Sequence, residues 1–381
     1  MGSGPLSDLK VVEIAGIGPG PFCAMLLADL GADVIRIDRP SGSGRVVDTR
    51  FEVTNRGRRS VAVDLKNPGG AEVVLRLAAQ ADILMEGYRP GVAERLGIGP
   101  DACWQRNPKL VYGRMTGWGQ EGPMASTAGH DIAYIALTGA LHAIGREGGP
   151  PQVPLNLLGD FGGGGMLLAF GMLAALWEAQ KSGKGQVVDA AIVDGTATLA
   201  AMIYGMLGSG FWADRRGSNL LDTGAPFYDV YETSDGKWMA VGALEPQFYA
   251  ELLRLLELDQ ADLPGQHDRS RWGELRATFA GRFKERTRDD WAKVFEGTDA
   301  CVAPVLSLGE AHEHHHIAAR GTLIDRDGVV QPAPSPRFSR TPGAVQRKPP
   351  APGENTREAL TSWGVDDVDA LIESGAVVQA Q

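Results

Sequence analysis

The stretch Leu9–Asp38, LKVVEIAGIGPGPFCAMLLADLGADVIRID, decides the reading of the fold. It begins with a short, mostly apolar run, Leu9 to Ile14, and turns at AGIGPGP. A helical pattern follows from Phe22 to Leu30, and a second apolar run from Asp33 to Asp38 closes it. Short runs rich in Val and Ile, bounded by turn residues, suit buried strands better than helices. A strand, a helix and a second strand joined this closely make a βαβ unit, in which the helix carries the chain back so that the strands lie parallel.

Outward from this unit the alternation continues. Strand-like runs stand at Ser60–Leu65, Asp82–Met85 and Leu110–Arg114, with helical stretches such as Gly70–Ala79 between them. The pattern predicts an α/β fold, a parallel sheet covered by helices. A long helical section comes next, including Asp131–Ala143 and Gly165–Gln180, and then another buried strand, Gln186–Ile192. The texture changes near Asp222–Pro226. There FYDVYETSDGKWMAVGAL places two strand-like runs around Ser234-Asp235-Gly236, a hairpin signal because Asp-Gly tolerates positive φ. Helical patterns at Pro246–Glu257, Arg271–Lys284 and Asp289–Phe295 follow. The expected division is a large domain built from residues 1–225 and 309–381 and a smaller α+β domain, 226–308. RKPPAPG, Arg347–Gly353, reads as a stiff proline linker, with Asn355 placed to cap a helix and Asp366–Ser374 as a further short one.

Composition bounds the rest. The 381 residues are 43% hydrophobic and 22% charged, which excludes a disordered or fibrous chain, so the 51 glycines must serve turns and close backbone approaches. A chain this long exceeds the roughly 250–300 residues at which single cores stop growing, and two domains are expected. Cys23, Cys103 and Cys301 are too few and too far apart for a disulfide framework and are expected to be buried packing residues. The N-terminal segment lacks a basic start followed by a long apolar run, and the longest apolar stretch, Met166–Trp177, is short of the roughly 20 residues that span a bilayer. A cytoplasmic protein without a membrane partner is the expectation. The net charge of −10 argues against nucleic acid. Between Arg36 and Arg114, however, 14 Lys or Arg stand against 9 Asp or Glu, which suits either a mixed solvated surface or a site for a small polyanion.

Two motifs fail on inspection. Gly16-Ile17-Gly18-Pro19-Gly20-Pro21 with Asp38 imitates a dinucleotide fingerprint, but Pro21 stands where the third glycine belongs and Pro19 stiffens the loop. His312-Glu313-His314-His315-His316 satisfies H-E-x-x-H, yet no recognisable segment offers a third ligand, so no metal site is expected. More informative are YGRMTGWGQEGP (Tyr112–Pro123), Ala128-Gly129-His130-Asp131-Ile132, Asp160 in LLGDFGGGG and Glu245 in VGALEPQFY. Taken singly, Asp160 could cap a helix and Glu245 could be a first-turn acid.

Taken together with VVEIAGIGPGP, LGADVIRIDRP, VAVDLKNP, GYRPGVAERLGIGP, GKGQVVDAAIVDG, TGAPFYDVYE and DACVAPVL, these segments resemble the class III CoA-transferase superfamily. Within it they are most similar to the α-methylacyl-CoA racemases, especially the bacterial type. The resemblance implies a Rossmann-like large domain, a small domain and an interlocked homodimer. It implies an acyl-CoA thioester as substrate, with no cofactor beyond the CoA that the substrate carries. Asp160 resembles the aspartate that transferases use as a nucleophile, so a CoA-transferase is the alternative reading. Gly129-His130-Asp131 and Leu244-Glu245-Pro246 resemble the racemase pattern instead. Inverting a carbon beside a thioester needs one group to remove a proton and another to return it on the opposite face. His130 and Asp160 would fill those two places, passing through an enolate, while Glu245 would hydrogen-bond and orient His130. The implied CoA site comprises Arg39, then Val63, Asp64, Leu65 and Lys66, then Gly87, Tyr88 and Arg89, then Arg95, and Gly129, His130, Asp131, Ile132, Ala133 and Tyr134. Arg56, Arg58 and Arg59 either extend its cationic field or stand on a surface loop.

Overall fold

The computed structural model describes residues 4–40 and 48–380; Arg45, within the locally basic segment, lies outside them. The chain gathers into two compact units, one of residues 1–138, 155–199 and 316–381 and one of residues 139–154 and 200–315. Residues 139–154, 200–225 and 309–315 therefore group with the smaller unit, outside the 226–308 expected for it. Within that unit Arg276 ties the 219–224 loop to the helices that follow, donating Nη2 to the carbonyls of Thr223 and Gly224 at 2.8 and 2.6 Å.

In the first unit, β1 (Lys10–Ile14), β2 (Asp33–Asp38), β3 (Arg58–Val63), β4 (Ile83–Glu86), β5 (Val111–Thr116) and β6 (Val187–Ala191) form a parallel sheet. A short strand, Val377–Val378, joins it antiparallel beside β3. The order across the seven strands is that C-terminal strand, β3, β2, β1, β4, β5, β6. Alternate residues of each strand face opposite ways. Val11, Val34, Ile83 and Val111 pack against α1 (Pro19–Asp29) and against Leu168 and Met172. Val12, Ile35, Leu84 and Tyr112 pack against α2 (Pro68–Ala78) and against Trp363. Helices thus cover both faces, as expected of strands that are apolar throughout. From β1 the chain winds through β2 and β3 to one side and then crosses to β4 on the other. The loops after β1 and β4 consequently diverge, and ligands of open α/β sheets bind in the crevice outside such carboxyl ends.

The helical section after β5 departs from its expected form. Asp131–Ala143 is not one helix: α3 (Asp131–Leu137) stops before Gly139, whose φ of 73° cannot continue a right-handed helix, and a single turn, Ala140–Ala143, follows. Next comes a π-helical segment, Leu157–Met166, running directly into α4 (Leu167–Ser182). Together they make a helical run of 26 residues that is long and apolar enough, by composition, to cross a membrane, which the Met166–Trp177 stretch alone is not. Its residues Leu168, Met172, Ala175 and Ala179 are buried in the core beside the sheet, while Met166, Phe170 and Trp177 are exposed. The segment around α5 (Ile192–Leu199) crosses the π-helical segment closely.

RKPPAPG is not a free spacer. Pro349 and Pro350 are buried, and Gly353 donates its N–H to Ser60 Oγ at 2.8 Å, so the segment packs along β3. Asn355 likewise accepts from the Ser60 N–H at 3.1 Å instead of capping the following helix.

The smaller unit holds the hairpin β7 (Tyr228–Glu232) and β8 (Trp238–Gly242), extended by β9 (Val302–Val305). Phe227, Tyr231, Phe279, Phe283 and Trp291 fill its core under helices Pro246–Leu255, Trp272–Phe283 and Arg288–Phe295. Of the cysteines, Cys23 and Cys103 are buried, but Cys301 is exposed and does not serve as packing.

Candidate active site

The residues implied for CoA binding follow the carboxyl ends of successive strands: Arg39 follows β2, Val63 to Lys66 end and follow β3, Gly87 to Arg89 follow β4, and Gly129 to Tyr134 close the long loop after β5. One sheet edge therefore gathers segments far apart in sequence. Arg39, Lys66, Arg89 and Arg95 are exposed, and none of them is in an ion pair among the described residues. Unpaired cations at strand ends suit phosphate groups, which accept charge-assisted hydrogen bonds from them. Arg56, Arg58 and Arg59 do not extend this field. They are buried and paired, with Asp29, Glu13 and Asp33 at 2.6, 3.0 and 2.7 Å.

Asp160 occupies the first turn of the π-helical segment, half-buried. Asn156 Nδ2 donates to its Oδ2 at 3.3 Å. The loop after β1 comes against the same carboxylate. Gly18 has a φ of +69°, and a Cβ there would stand 3.1 Å from Asp160 Oδ2. Glycine at this position satisfies both the left-handed backbone and the close approach. Burial raises the Asp160 carboxyl above its ordinary range; the Asn156 bond opposes this, the negative charge of Asp131 adds to it, and His130 opposes it. An acid raised in this way is suited to hold and release a proton in a reaction.

His130 is the N-cap residue of α3, with extended backbone (φ −133°, ψ 169°) and an exposed side chain. Its neighbour Asp131 is buried, and Asp131 Oδ2 accepts the backbone N–H of Asp160 at 2.7 Å. One hydrogen bond thus ties the start of α3 to the turn that carries Asp160, and both proton-carrying candidates lie in one place. Tyr134, on the same helix, packs edge-on to Trp118, ring centroids 4.7 Å apart, and feels the charges of Asp160 and Arg89.

Glu245 lies in the other unit, exposed at the N-cap of helix Pro246–Leu255, and its carboxylate has no hydrogen-bond partner among the described residues. Glu86, which sequence reasoning passed over, ends β4. Burial pushes its carboxyl up to about 7, against the Tyr88 N–H that donates to it at 2.5 Å. Nothing in the residue pattern marks Glu86, because its burial arises only when β1 and β5 close around β4. The sequence marks Asp131 only as a member of the segment that the resemblance implies for CoA; the direction of its side chain depends on a turn 29 residues away. Among the described residues no group of three or more His, Cys, Asp or Glu could hold a metal ion, the His312–His316 run included.

Comparison with known proteins shows the family of the chain. A family profile described as CoA-transferase family III matches residues 6–356. The α-methylacyl-CoA racemase of Mus musculus is 46% identical over 98% of this chain and 98% of its own length. That of Homo sapiens is 44% identical, again over 98% of both. A solved CAIB/BAIF family protein from Brucella suis superposes with a TM-score of 0.81, at 26% identity, over 95% of this chain and 100% of that one.

Proposed function

The chain belongs to CoA-transferase family III, and from that premise we propose that it is an enzyme, an α-methylacyl-CoA racemase that interconverts (R)- and (S)-2-methylacyl-CoA thioesters. The observation that carries the reading is the joining of His130 and Asp160 through Asp131, in a chain 44–46% identical to two such racemases.

In this reading Arg39, Lys66, Arg89 and Arg95 take the CoA phosphates, and the pantetheine arm leads the thioester to the end of the sheet where Asp160 stands. One of His130 and Asp160 abstracts the α-proton. The electron pair moves into the thioester carbonyl as an enolate, and the other residue returns a proton to the opposite face. The step is redox-neutral and moves only protons, so the reading calls for no resident cofactor. The raised carboxyl of Asp160 favours this use, since a carboxyl of ordinary acidity is a poor proton donor near neutrality. Glu245 enters as the acid that orients the histidine, a role that rests on the family resemblance.

We further infer that two copies of the chain associate. The apolar side chains left exposed on one helical run, Leu157, Met166, Phe170 and Trp177, are the surface that a second copy would cover.

The test is incubation with a 2-methylacyl-CoA of one configuration in heavy water. The expected result is one deuterium at the α-carbon, loss of configuration and an intact thioester. His130→Ala and Asp160→Asn should each slow exchange by roughly 100-fold or more. Absence of α-exchange with any 2-methylacyl-CoA overturns the reading. So does CoA transfer to an added carboxylic acid that outpaces exchange and leaves a hydroxylamine-sensitive adduct on Asp160, the transferase outcome.

A further inference from the structure

The family resemblance assigns Asp131 to the CoA site, but its side chain faces Asp160. Asp131 is only 7% exposed, and its Oδ2 accepts the Asp160 N–H at 2.7 Å. Its Oδ1 is buried with no hydrogen-bond partner, and no Lys or Arg pairs with it among the described residues. Such a carboxylate is unusual, because a buried charge is normally paired or fully hydrogen-bonded. The backbone makes room for it: a Cβ at residue 159 would stand 2.3 Å from Asp131 Oδ2, so any side chain there would displace the carboxylate.

Two consequences follow from this placement. Asp131 is covalently adjacent to His130, and its carboxylate holds the backbone of Asp160 itself, so a single side chain links the two proton-carrying candidates. The charge of Asp131 also has no cation to balance it. The groups bearing on Asp160 are Asp131, His130 and Tyr134 from α3 and Asn156 from the preceding turn, with the uncharged backbone of Gly18 opposite. Asp131 is the one carboxylate among them.

We propose that Asp131 is a positioning residue: its carboxylate fixes the spacing of His130 and Asp160 and places an uncompensated negative charge beside Asp160. The proposal rests on the reading of His130 and Asp160 as the proton-transfer pair. Two variants separate its parts. Asp131→Asn keeps an oxygen to accept the Asp160 N–H and removes only the charge. Asp131→Ala removes both.

The full-length protein, labelled with 13C at the aspartate carboxyls, gives the titration of Asp160 directly, its signal identified by loss in Asp160→Asn. In Asp131→Asn the Asp160 carboxyl should titrate at lower pH than in the wild type. The acid limb of α-proton exchange should move the same way, with KM for the acyl-CoA nearly unchanged. Asp131→Ala should in addition lose roughly tenfold or more in kcat, the effect of a misplaced reacting group. An Asp160 titration unmoved in Asp131→Asn, or wild-type turnover in Asp131→Ala, overturns the proposal. If the wild type shows no α-exchange, the racemase reading fails by itself, and the carboxyl titration still decides whether Asp131 acts on Asp160.

Discussion

Glu86 shows how one side chain can set a pH response. It is buried at the end of β4, and its carboxyl is pushed up to about 7 from the model-peptide value of 4.5. Above its unfolded pKa the native state therefore holds a proton that the unfolded chain has already released, so Glu86 costs stability progressively as pH rises from about 4.5 to about 7. Glu86→Gln keeps an acceptor for the Tyr88 N–H and removes the titration. The expected outcome is little change in stability at pH 5 and a gain on the order of 1–3 kcal/mol at pH 8, read by chemical denaturation at both pH values. Equal effects at the two pH values would rule the argument out. The segments that carry His130, Asp160 and the proposed CoA contacts stand out in the sequence because they are long, specific runs of residues. Glu86 and the inward-facing carboxylate of Asp131 were not, because burial and side-chain direction are made by segments distant along the chain.

At the scale of elements, the loop after β1 is held from below by a buried ion cluster. Glu13 receives Arg36 Nη1 at 2.5 Å and Arg58 Nε at 3.0 Å. The same guanidiniums reach the loop, Arg36 Nη2 donating to Gly16 O at 3.2 Å and Arg58 Nη2 to Pro21 O. Burial works against the Glu13 charge, yet the two guanidiniums hold its carboxyl below the ordinary range. Both ends of the loop that brings Gly18 to Asp160 are thus held through their carbonyls by the two guanidiniums. Glu13→Ala would leave two buried cations without their common partner. The expected cost is about 3–5 kcal/mol of unfolding free energy, measurable by urea denaturation. A cost under about 1 kcal/mol would mean that water replaces the carboxylate without penalty. The βαβ unit itself was readable from apolar runs and turn residues, since both are local signals. The π-helical segment was not, because its wide turns depend on the close crossing of the 157–166 and 192–199 segments, which no periodicity within either one encodes. The break at Gly139 was missed for a related reason: a glycine inside a helical pattern is often tolerated, and only its observed left-handed φ ends the helix.

For the whole molecule, the proposed association is tested by mass in solution. Light scattering should return about twice the 40.5 kDa of the chain. Phe170→Glu, which puts a charge on a side chain already 70% exposed, should shift that mass toward one chain without unfolding it. A wild-type mass of one chain would leave the exposed helix face without a second copy. The division into two units was legible from the change in texture near residue 226. The membership of residues 139–154, 200–225 and 309–315 was not, because it depends on long-range contacts such as those of Arg276.

The C-terminal strand also has a consequence for synthesis. Val377–Val378 covers the outer side of β3, pairing with Val63 and Ala62. A ribosome adding roughly 5–20 residues per second makes that cover about 15–60 seconds after β3 has emerged. Until then the sheet has a bare, apolar margin next to nascent chain, the kind of margin that other strands can join. Protection of that margin then depends on Val377–Val378 reaching β3 before a neighbouring polypeptide does, and slowing translation between β3 and Val377 should lower the soluble yield without altering the mature protein.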